Sequence, residues 1–358
     1  MAKPTGAAVT YAAPPNIALV KYWGVRDRDL QIPYNSSLSV TLDRLRSRTR
    51  VAFDPALRDD RVELNGRVAE GGPRRGVTDF LDRVRGLAGV DARADVRSDN
   101  NFPTASGLAS SASGFAALAG AASLAAGLHL SERDLSRLAR FGSGSASRSV
   151  FGGFVEWQAG HRPDASDCYA RPRFPADHWP ALVDLVLLVE GAPVKEVRSA
   201  DAMQASVRTS PEFARRQREV PGRLRRIVGA IRDRSAERLF PLVMEECDSF
   251  RTVCETTVPS LDYLTATSRA ILAEVRTLNR GRGRAIAGYT HDAGAHVHVF
   301  TRVRELPEVR KALAHLPGVR SSLVVRPGPG GRPVGGRPVP TAPAGRTRRA
   351  AARGRSTG

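Results

Sequence analysis

The sequence predicts an α+β fold arranged in two lobes. Strand-like and helix-like segments follow one another without regular β-α-β alternation, which argues against a doubly wound parallel sheet. The chain has 358 residues, 41% of them hydrophobic. That is ample for a large core and for two lobes. No 18-residue apolar run and no apolar stretch before a cleavage site are present, so neither a membrane span nor a signal peptide is expected.

The elements read in order as follows. Residues 1–10 are expected to be flexible. Tyr11 to Val20 and Ser37 to Leu42 read as strands around a turn holding Pro33, Asn35 and Ser36. Val51 to Phe53 and Val62 to Leu64 flank a polar loop, and Asn65-Gly66 signals a hairpin. Val77, Phe80, Leu81, Val84 and Leu87 fall on one helical face. Ser111 to Leu128 is an Ala-rich helix, and Ser131 with Asp134 caps another that stops at Gly142. Strands follow at Phe154 to Trp157 and Leu182 to Val189. Helices are expected at Ala200 to Gln217, Pro221 to Ile231, Ala236 to Cys254 and Leu261 to Leu278. Ala285 to Tyr289 and Val297 to Thr301 read as strands, Leu306 to Leu316 as a helix and Ser321 to Val325 as the last strand. The lobes are expected to span 11–190 and 191–325. The Gly/Pro/Arg tail, 326–358, lacks apolar periodicity and reads as disordered.

The net charge is +19. From Arg326 to Gly358 there are eight arginines and no acid, which leaves +11 on the rest. Charge alone would allow a nucleic-acid binder, but no nucleic-acid module is visible, so no specific nucleic-acid partner is expected. Cys168, Cys247 and Cys254 lack metal-type spacing and fit reduced, buried thiols of a cytoplasmic protein.

Four segments carry chemistry. In Asp99 to Leu118, a small-residue loop with Gly107 runs directly into a helix. Ser106, Gly107, Leu108, Ala109, Ser110 and Ser111 can close backbone N–H groups around phosphate, aided by the helix N-terminus. No Gly-Lys-Ser/Thr follows, so this is not a Walker A loop. In Pro15 to Gly24, Lys21 ends an apolar strand. It either clamps a phosphate or carboxylate or snorkels to solvent. In Gly142 to Ser149, Ser143 and Ser145 alternate with glycine, and Arg148 offers a planar fork for an anion. A flexible linker is the alternative, disfavoured by its apolar flanks. In Tyr289 to Ala295, Asp292 stands between a strand and a Gly loop, as a general base or as an Asx-turn residue. His291, His296 and His298 read as strand-face residues, because nothing frames a zinc site.

The pieces PNIALVKYWG, NSSLSVTLD, DNNFPTASGLASSASGFAAL, GSGSASRSVFGGFVEW, MQASVRTSPEF and YTHDAGAHV, in this order, resemble the diphosphomevalonate decarboxylases of the GHMP kinase superfamily. The resemblance spans about residues 11 to 325. It implies a two-lobed GHMP-kinase-like α+β fold, with a ribosomal S5-type N-terminal lobe and a ferredoxin-like C-terminal lobe. It implies ATP and Mg²⁺, a phosphorylated 3-hydroxy acid as substrate, and a homodimer. Asp292 would match the catalytic aspartate and Lys21 the strand-end lysine of the active site. Arg148 and Asn16 would fix the substrate carboxylate. Tyr22, Trp23, Gly24, Ser143, Gly144, Ser145, Ser147 and Ser199 would line the substrate side, and Ser106 to Ser111 would hold the ATP phosphates. The chain departs from the family pattern at Val25, where lysine is usual, at Gly76 and at Ala200, with Arg75 and Arg198 beside the last two. All three positions fall where the resemblance places the 5-diphosphate. Mevalonate 5-phosphate or a related 3-hydroxy acid is therefore an alternative substrate, for the same reaction or for phosphorylation alone.

Overall fold

The structure, a computed structural model, describes residues 7–102, 110–191 and 199–335. Strands β1 (Val9–Ala13), β2 (Asn16–Val20), β3 (Val25–Asp27), β4 (Ile32–Pro33), β5 (Ser37–Thr41), β6 (Ser47–Asp54), β7 (Arg61–Leu64) and β8 (Arg67–Val68) come first. Helix α1 (Gly71–Ala88), β9 (Arg93–Asn100), α2 (Ser110–Ala125), α3 (Glu132–Gly142), the short α4 (Ala146–Ser149), β10 (Phe154–Trp157) and β11 (Ala170–Phe174) follow. Then come β12 (Leu182–Val189), α5 (Ser199–Thr209), α6 (Glu212–Arg232), α7 (Ala236–Glu255) and α8 (Ala266–Gly281). Strands β13 (Ala287–Thr290) and β14 (Val297–Arg302), α9 (Leu306–Leu313), β15 (Val319–Val325) and β16 (Arg332–Pro333) complete the described fold.

The strands form a six-stranded sheet in the order β16-β1-β6-β9-β7-β8, two four-stranded sheets, β11-β10-β5-β2 and β13-β14-β12-β15, and a two-stranded β3-β4. The mixed α+β class is as expected. The single strand expected over Tyr11 to Val20 is two, because Pro14 and Pro15 offer no N–H to a ladder. The halves join different sheets. Asn65 and Gly66 both have positive φ, as a two-residue hairpin requires. Strand β9 escaped the sequence reading, since only Ala94 and Val96 are buried among its charged neighbours.

Four expectations are corrected. The lobe boundary lies before Leu182, not at residue 190: β12 pairs with β14 and β15 of the second lobe. Helix α6 passes through Pro221, because Phe213, Val220, Ile227 and Ile231 bury one continuous face. The helix expected from Leu261 starts at Ala266, where the Thr265 side chain accepts from the Ser268 N–H. Strand β1 already includes Val9 and Thr10, whereas residues 1–6 lie outside the described ones.

The tail is also corrected in its first ten residues. Arg326 to Gly335 cross back to the first lobe as a strap. Gly328 N–H donates to the Thr41 carbonyl (2.8 Å), Gly153 N–H to the Gly328 carbonyl (2.9 Å) and Gly331 N–H to the Ser149 carbonyl (3.2 Å). Strand β16 then pairs with β1. A Cβ on Gly330 would lie 2.4 Å from the Val150 carbonyl oxygen, so this crossing needs glycine. Residues 336–358 lie outside the described ones.

The lobes share a core. Ile17, Leu19, Val20, Leu38 and Val40 of the middle sheet pack with Val220, Ile227, Leu239, Phe240 and Val243 of α6 and α7. Each such side chain, fully buried, contributes about 1.5–3 kcal/mol. Strand β2 is thus fixed from both sides, and its two ends carry the next feature.

Candidate active site

All five residues of β2 are buried, and Asn16 and Lys21 flank its apolar middle. Extended, their Cα atoms stand about 16 Å apart. The Lys21 side chain shortens that gap by folding back: its Nζ donates to the Ala18 carbonyl at 2.7 Å. It also pairs with Asp292 Oδ1 at 2.8 Å. Lys21 is therefore not a snorkelling lysine. Its side chain is 3% exposed, whereas that of Asp292 keeps 26% and can meet a ligand. Burial pushes the Asp292 carboxyl up. The charge and hydrogen bond of Lys21, with the charges of His298 and Arg148, outweigh this and hold it below the usual carboxylate range.

At the other end, Asn16 Nδ2 donates to Ser149 Oγ (2.8 Å) and to the Ser145 carbonyl (3.1 Å). Its Oδ1 accepts from Arg148 Nε at 3.1 Å. Arg148 also donates to Ser39 Oγ (3.0 Å) and Ser37 Oγ (2.6 Å). The guanidinium is 2% exposed, and no carboxylate among the described residues pairs with it. Burial lowers its pKa to about 10, with the charge of Asp292 opposing. A buried cation held only by neutral oxygens suits an incoming carboxylate. Ser37 and Ser39 were not singled out as site residues. Their signal is the period-two run in Ser37–Thr41, which puts hydroxyls on one face and Leu38 and Val40 on the other.

The remaining candidates divide. Ser143 and Ser145 face each other, Oγ to Oγ 3.1 Å, and both are partly exposed. Gly144 between them is required: a Cβ would sit 2.7 Å from the Trp157 ring and 2.8 Å from that of Tyr22. Tyr22 packs edge-on against Trp157, and burial pushes its hydroxyl pKa up. Ser147 is buried, and its hydroxyl donates to the Gly144 carbonyl at 2.7 Å within the loop. Trp23 is buried too, its Nε1–H on Ser206 Oγ at 2.9 Å. Gly24 has φ +105°, and a Cβ there would lie 2.7 Å from Phe213. Val25 is buried in the same apolar cluster as Trp23, Met203 and Phe213. Ser199 opens α5 beside residues 192–198, which lie outside the described ones with Arg198. Gly76 and Ala200 lie in α1 and α5.

Of the phosphate loop, Ser106, Gly107, Leu108 and Ala109 lie outside the described residues. Ser110 and Ser111 form the first turn of α2, which holds no acidic residue. An uncancelled helix N-terminus there favours an anion. Helix α2 packs on α4, which carries Arg148. Among the described residues no cluster of three His, Cys, Asp or Glu side chains could hold a metal. No described helix is long and apolar enough to cross a membrane.

The histidines serve the fold. His298 Nδ1 pairs with Asp184 at 2.6 Å, both side chains 2% exposed. His291 Nδ1–H donates to the Asp292 carbonyl at 2.8 Å. Burial lowers the His291 and His296 pKa values to about 4. Unfolded histidine titrates near 6.5. Between about 6.5 and 4 the unfolded chain binds protons that the folded chain refuses. Stability should therefore be full above that window and fall as pH drops through it, by roughly 3 kcal/mol per histidine. Urea unfolding at pH 7 and pH 4.5 measures this. His291→Phe should flatten the slope, and an unchanged slope would contradict the assignment.

Residues 13–170 match the family model described as Diphosphomevalonate decarboxylase-like N-terminal domain, and residues 185–324 match the Mevalonate 5-diphosphate decarboxylase C-terminal domain. Diphosphomevalonate decarboxylase of Bos taurus is 41% identical over 324 residues, 86% of this chain and 80% of the relative. That of Homo sapiens is 40% identical over 347 residues, 90% and 86% respectively. Mevalonate diphosphate decarboxylase from Staphylococcus aureus superposes with a TM-score of 0.85 at 33% identity, covering 92% of this chain and 98% of that one. A solved complex with MVAPP, AMPPCP and magnesium superposes with a TM-score of 0.84 at 37% identity, covering 92% and 99%. With both halves matched in order, and with these relatives matched over at least four-fifths of their own length, the chain belongs to the diphosphomevalonate decarboxylase family.

Proposed function

We propose that this protein uses MgATP to convert 5-diphosphomevalonate into isopentenyl diphosphate, ADP, phosphate and CO₂. The single observation that carries the reading is the opposition of two charged groups across one strand. An ionised carboxylate sits at one end, and at the other a buried guanidinium that no carboxylate among the described residues pairs with. A 3-hydroxy acid has a hydroxyl and a carboxylate to match them.

Asp292 accepts the C3 hydroxyl proton as that oxygen attacks the γ-phosphorus and ADP leaves. Lys21 keeps Asp292 ionised. Arg148, with Asn16, holds the substrate carboxylate. The C3–O bond then breaks with its electron pair going to phosphate. Positive charge builds at C3 beside the departing phosphate, the C1–C2 bond supplies the new double bond, and CO₂ leaves. The acid-free first turn of α2 fits the nucleotide phosphates. Magnesium would enter with ATP and would supply charge neutralisation of the phosphates; among the described residues no cluster of three His, Cys, Asp or Glu side chains would hold it. The solved relative bound to MVAPP, AMPPCP and magnesium supports the same pair of substrates here. We also read the protein as a cytoplasmic homodimer, which sedimentation velocity would check.

The deciding experiment incubates the protein with ATP, Mg²⁺ and mevalonate, its 5-phosphate or its 5-diphosphate, and follows ADP and CO₂ together. Equal ADP and CO₂ from the 5-diphosphate is expected. ADP without CO₂ would make the protein a kinase, and neither product from any of the three would end the reading. Val25→Lys puts a cation at the position where the resemblance places the 5-diphosphate, in the apolar cluster of Trp23, Met203 and Phe213. It should lower the apparent KM for the 5-diphosphate by roughly 10- to 100-fold and leave kcat within about twofold, since one charged hydrogen bond contributes about 1.5–3 kcal/mol.

A further inference from the structure

We propose that Glu246 and Arg216 are positioning residues for Lys21, clamping its main chain so that its ammonium meets Asp292. The proposal rests on the reading of Asp292 as the base.

Lys21 follows the last residue of β2, so its own N–H and carbonyl fall outside the strand ladder. Both are taken up by side chains distant in sequence. The Lys21 N–H donates to Glu246 Oε1 at 2.9 Å. The Lys21 carbonyl accepts from Arg216 Nη2 at 3.3 Å and from Asn35 Nδ2 at 3.0 Å. Arg216 Nη2 also donates to Glu246 Oε1, which closes the ring. Glu246 Oε2 accepts from Arg223 Nη1 at 2.6 Å.

These ions sit where an apolar seam would serve packing. Glu246 is 0% exposed, Arg216 1% and Arg223 3%. They lie between α6 and α7, among Val220, Ile227, Val243 and Phe250. Hydrophobic residues of similar volume often hold such a seam as well or better, so burying ions calls for another role. Arg216 sharpens the point. Its Nε and Nη1 are buried and have no partner among the described residues. Its remaining nitrogen is committed to Glu246 and to the Lys21 carbonyl. A guanidinium so poorly satisfied is placed for what that nitrogen holds.

The clamp has a consequence at the reacting end. With the main chain pinned on both sides, the Lys21 side chain has a fixed origin. From there Nζ reaches both the Ala18 carbonyl and Asp292. Loosening the origin lets the ammonium leave Asp292 while the lysine itself remains.

The test uses Glu246→Gln, Glu246→Asp and Arg216→Met in the full chain. Turnover of 5-diphosphomevalonate, the KM for ATP and the ¹³C-carboxyl titration of Asp292 by NMR are read for each. Arg216→Met leaves Glu246 paired with Arg223, so it keeps the test open if Glu246→Gln, which removes the carboxylate that Arg216 pairs with, fails to fold. The expected result is kcat reduced by roughly 10²-fold per folded molecule, because misplacement on an ångström scale has that effect. The ATP KM should stay within about twofold, and Asp292 should titrate closer to an ordinary carboxyl. Folded variants that melt earlier but keep wild-type kcat and an unmoved Asp292 titration would overturn the clamp. A wild-type protein that makes no CO₂, with variants that still shift the Asp292 titration, would support the clamp and overturn only the proposed reaction.

Discussion

Asp292→Asn should reduce decarboxylation by 10²–10⁴-fold, the span that a positioned general base contributes, while ATP binding stays near wild type. Asparagine keeps a hydrogen-bond acceptor for Lys21 and so preserves the geometry, but it cannot accept the proton. Asp292→Ala should be at least as inactive and should also melt earlier, because it leaves the Lys21 ammonium, 3% exposed, without its counter-charge. Coupled ADP release, CO₂ release and calorimetric titration with an ATP analogue separate these effects. Normal turnover in Asp292→Asn would remove this residue from the chemistry. The pH profile gives an independent check. The carboxyl is held below its usual range by Lys21, so the acid limb of kcat/KM should lie below that of an ordinary aspartate. Lys21→Met should move the limb upward.

The second large effect is expected at Arg148. Arg148→Met should lower kcat/KM for the 3-hydroxy acid by roughly 10²–10³-fold or more, as loss of one or two charge-assisted hydrogen bonds of about 1.5–3 kcal/mol each would do. The KM for ATP should barely move. Arg148→Lys should not rescue. Asn16 and Ser39 hold Nε while Ser37 holds Nη1. A single ammonium cannot satisfy that set and still present a fork to a carboxylate. Recovery of wild-type kinetics by lysine would mean that charge, not the planar fork, is what the site uses.

The candidate residues stand out in the sequence because they sit at ends of apolar runs or between glycines, where a charge or hydroxyl has no packing reason to be. Lys21 after NIALV and Asp292 before Ala-Gly are of that kind. Sequence pattern does not say which way the Ser147 hydroxyl turns in a one-turn helix, and the structure turns it onto the Gly144 carbonyl. Glu246 and Arg216 were invisible for the opposite reason. They lie in long amphipathic helices rich in charge, and only the folded seam shows that these two ions, with Arg223, face inward. Strand β12 was recognised as a strand but placed in the wrong lobe, since its uniform apolar run fits any buried sheet and its partners lie more than a hundred residues later. Proline at 221 was given too much weight as a breaker. The continuous apolar face of α6 overrides one missing hydrogen bond.

The strap from Arg326 to Gly335 has a bearing on how the protein is made. Strand β16 pairs with β1, and Gly331 holds the carbonyls of Ser149 and Val150, directly after Arg148. A domain grown on the ribosome usually folds from its N-terminal side as synthesis proceeds. Here the first lobe cannot close its sheet edge until the chain from Leu182 through Arg332 has been made, and the loop bearing Arg148 waits for the same segment. The nascent first lobe is thus an unfinished intermediate with an open strand edge, and competence for substrate arrives only after the second lobe has been translated.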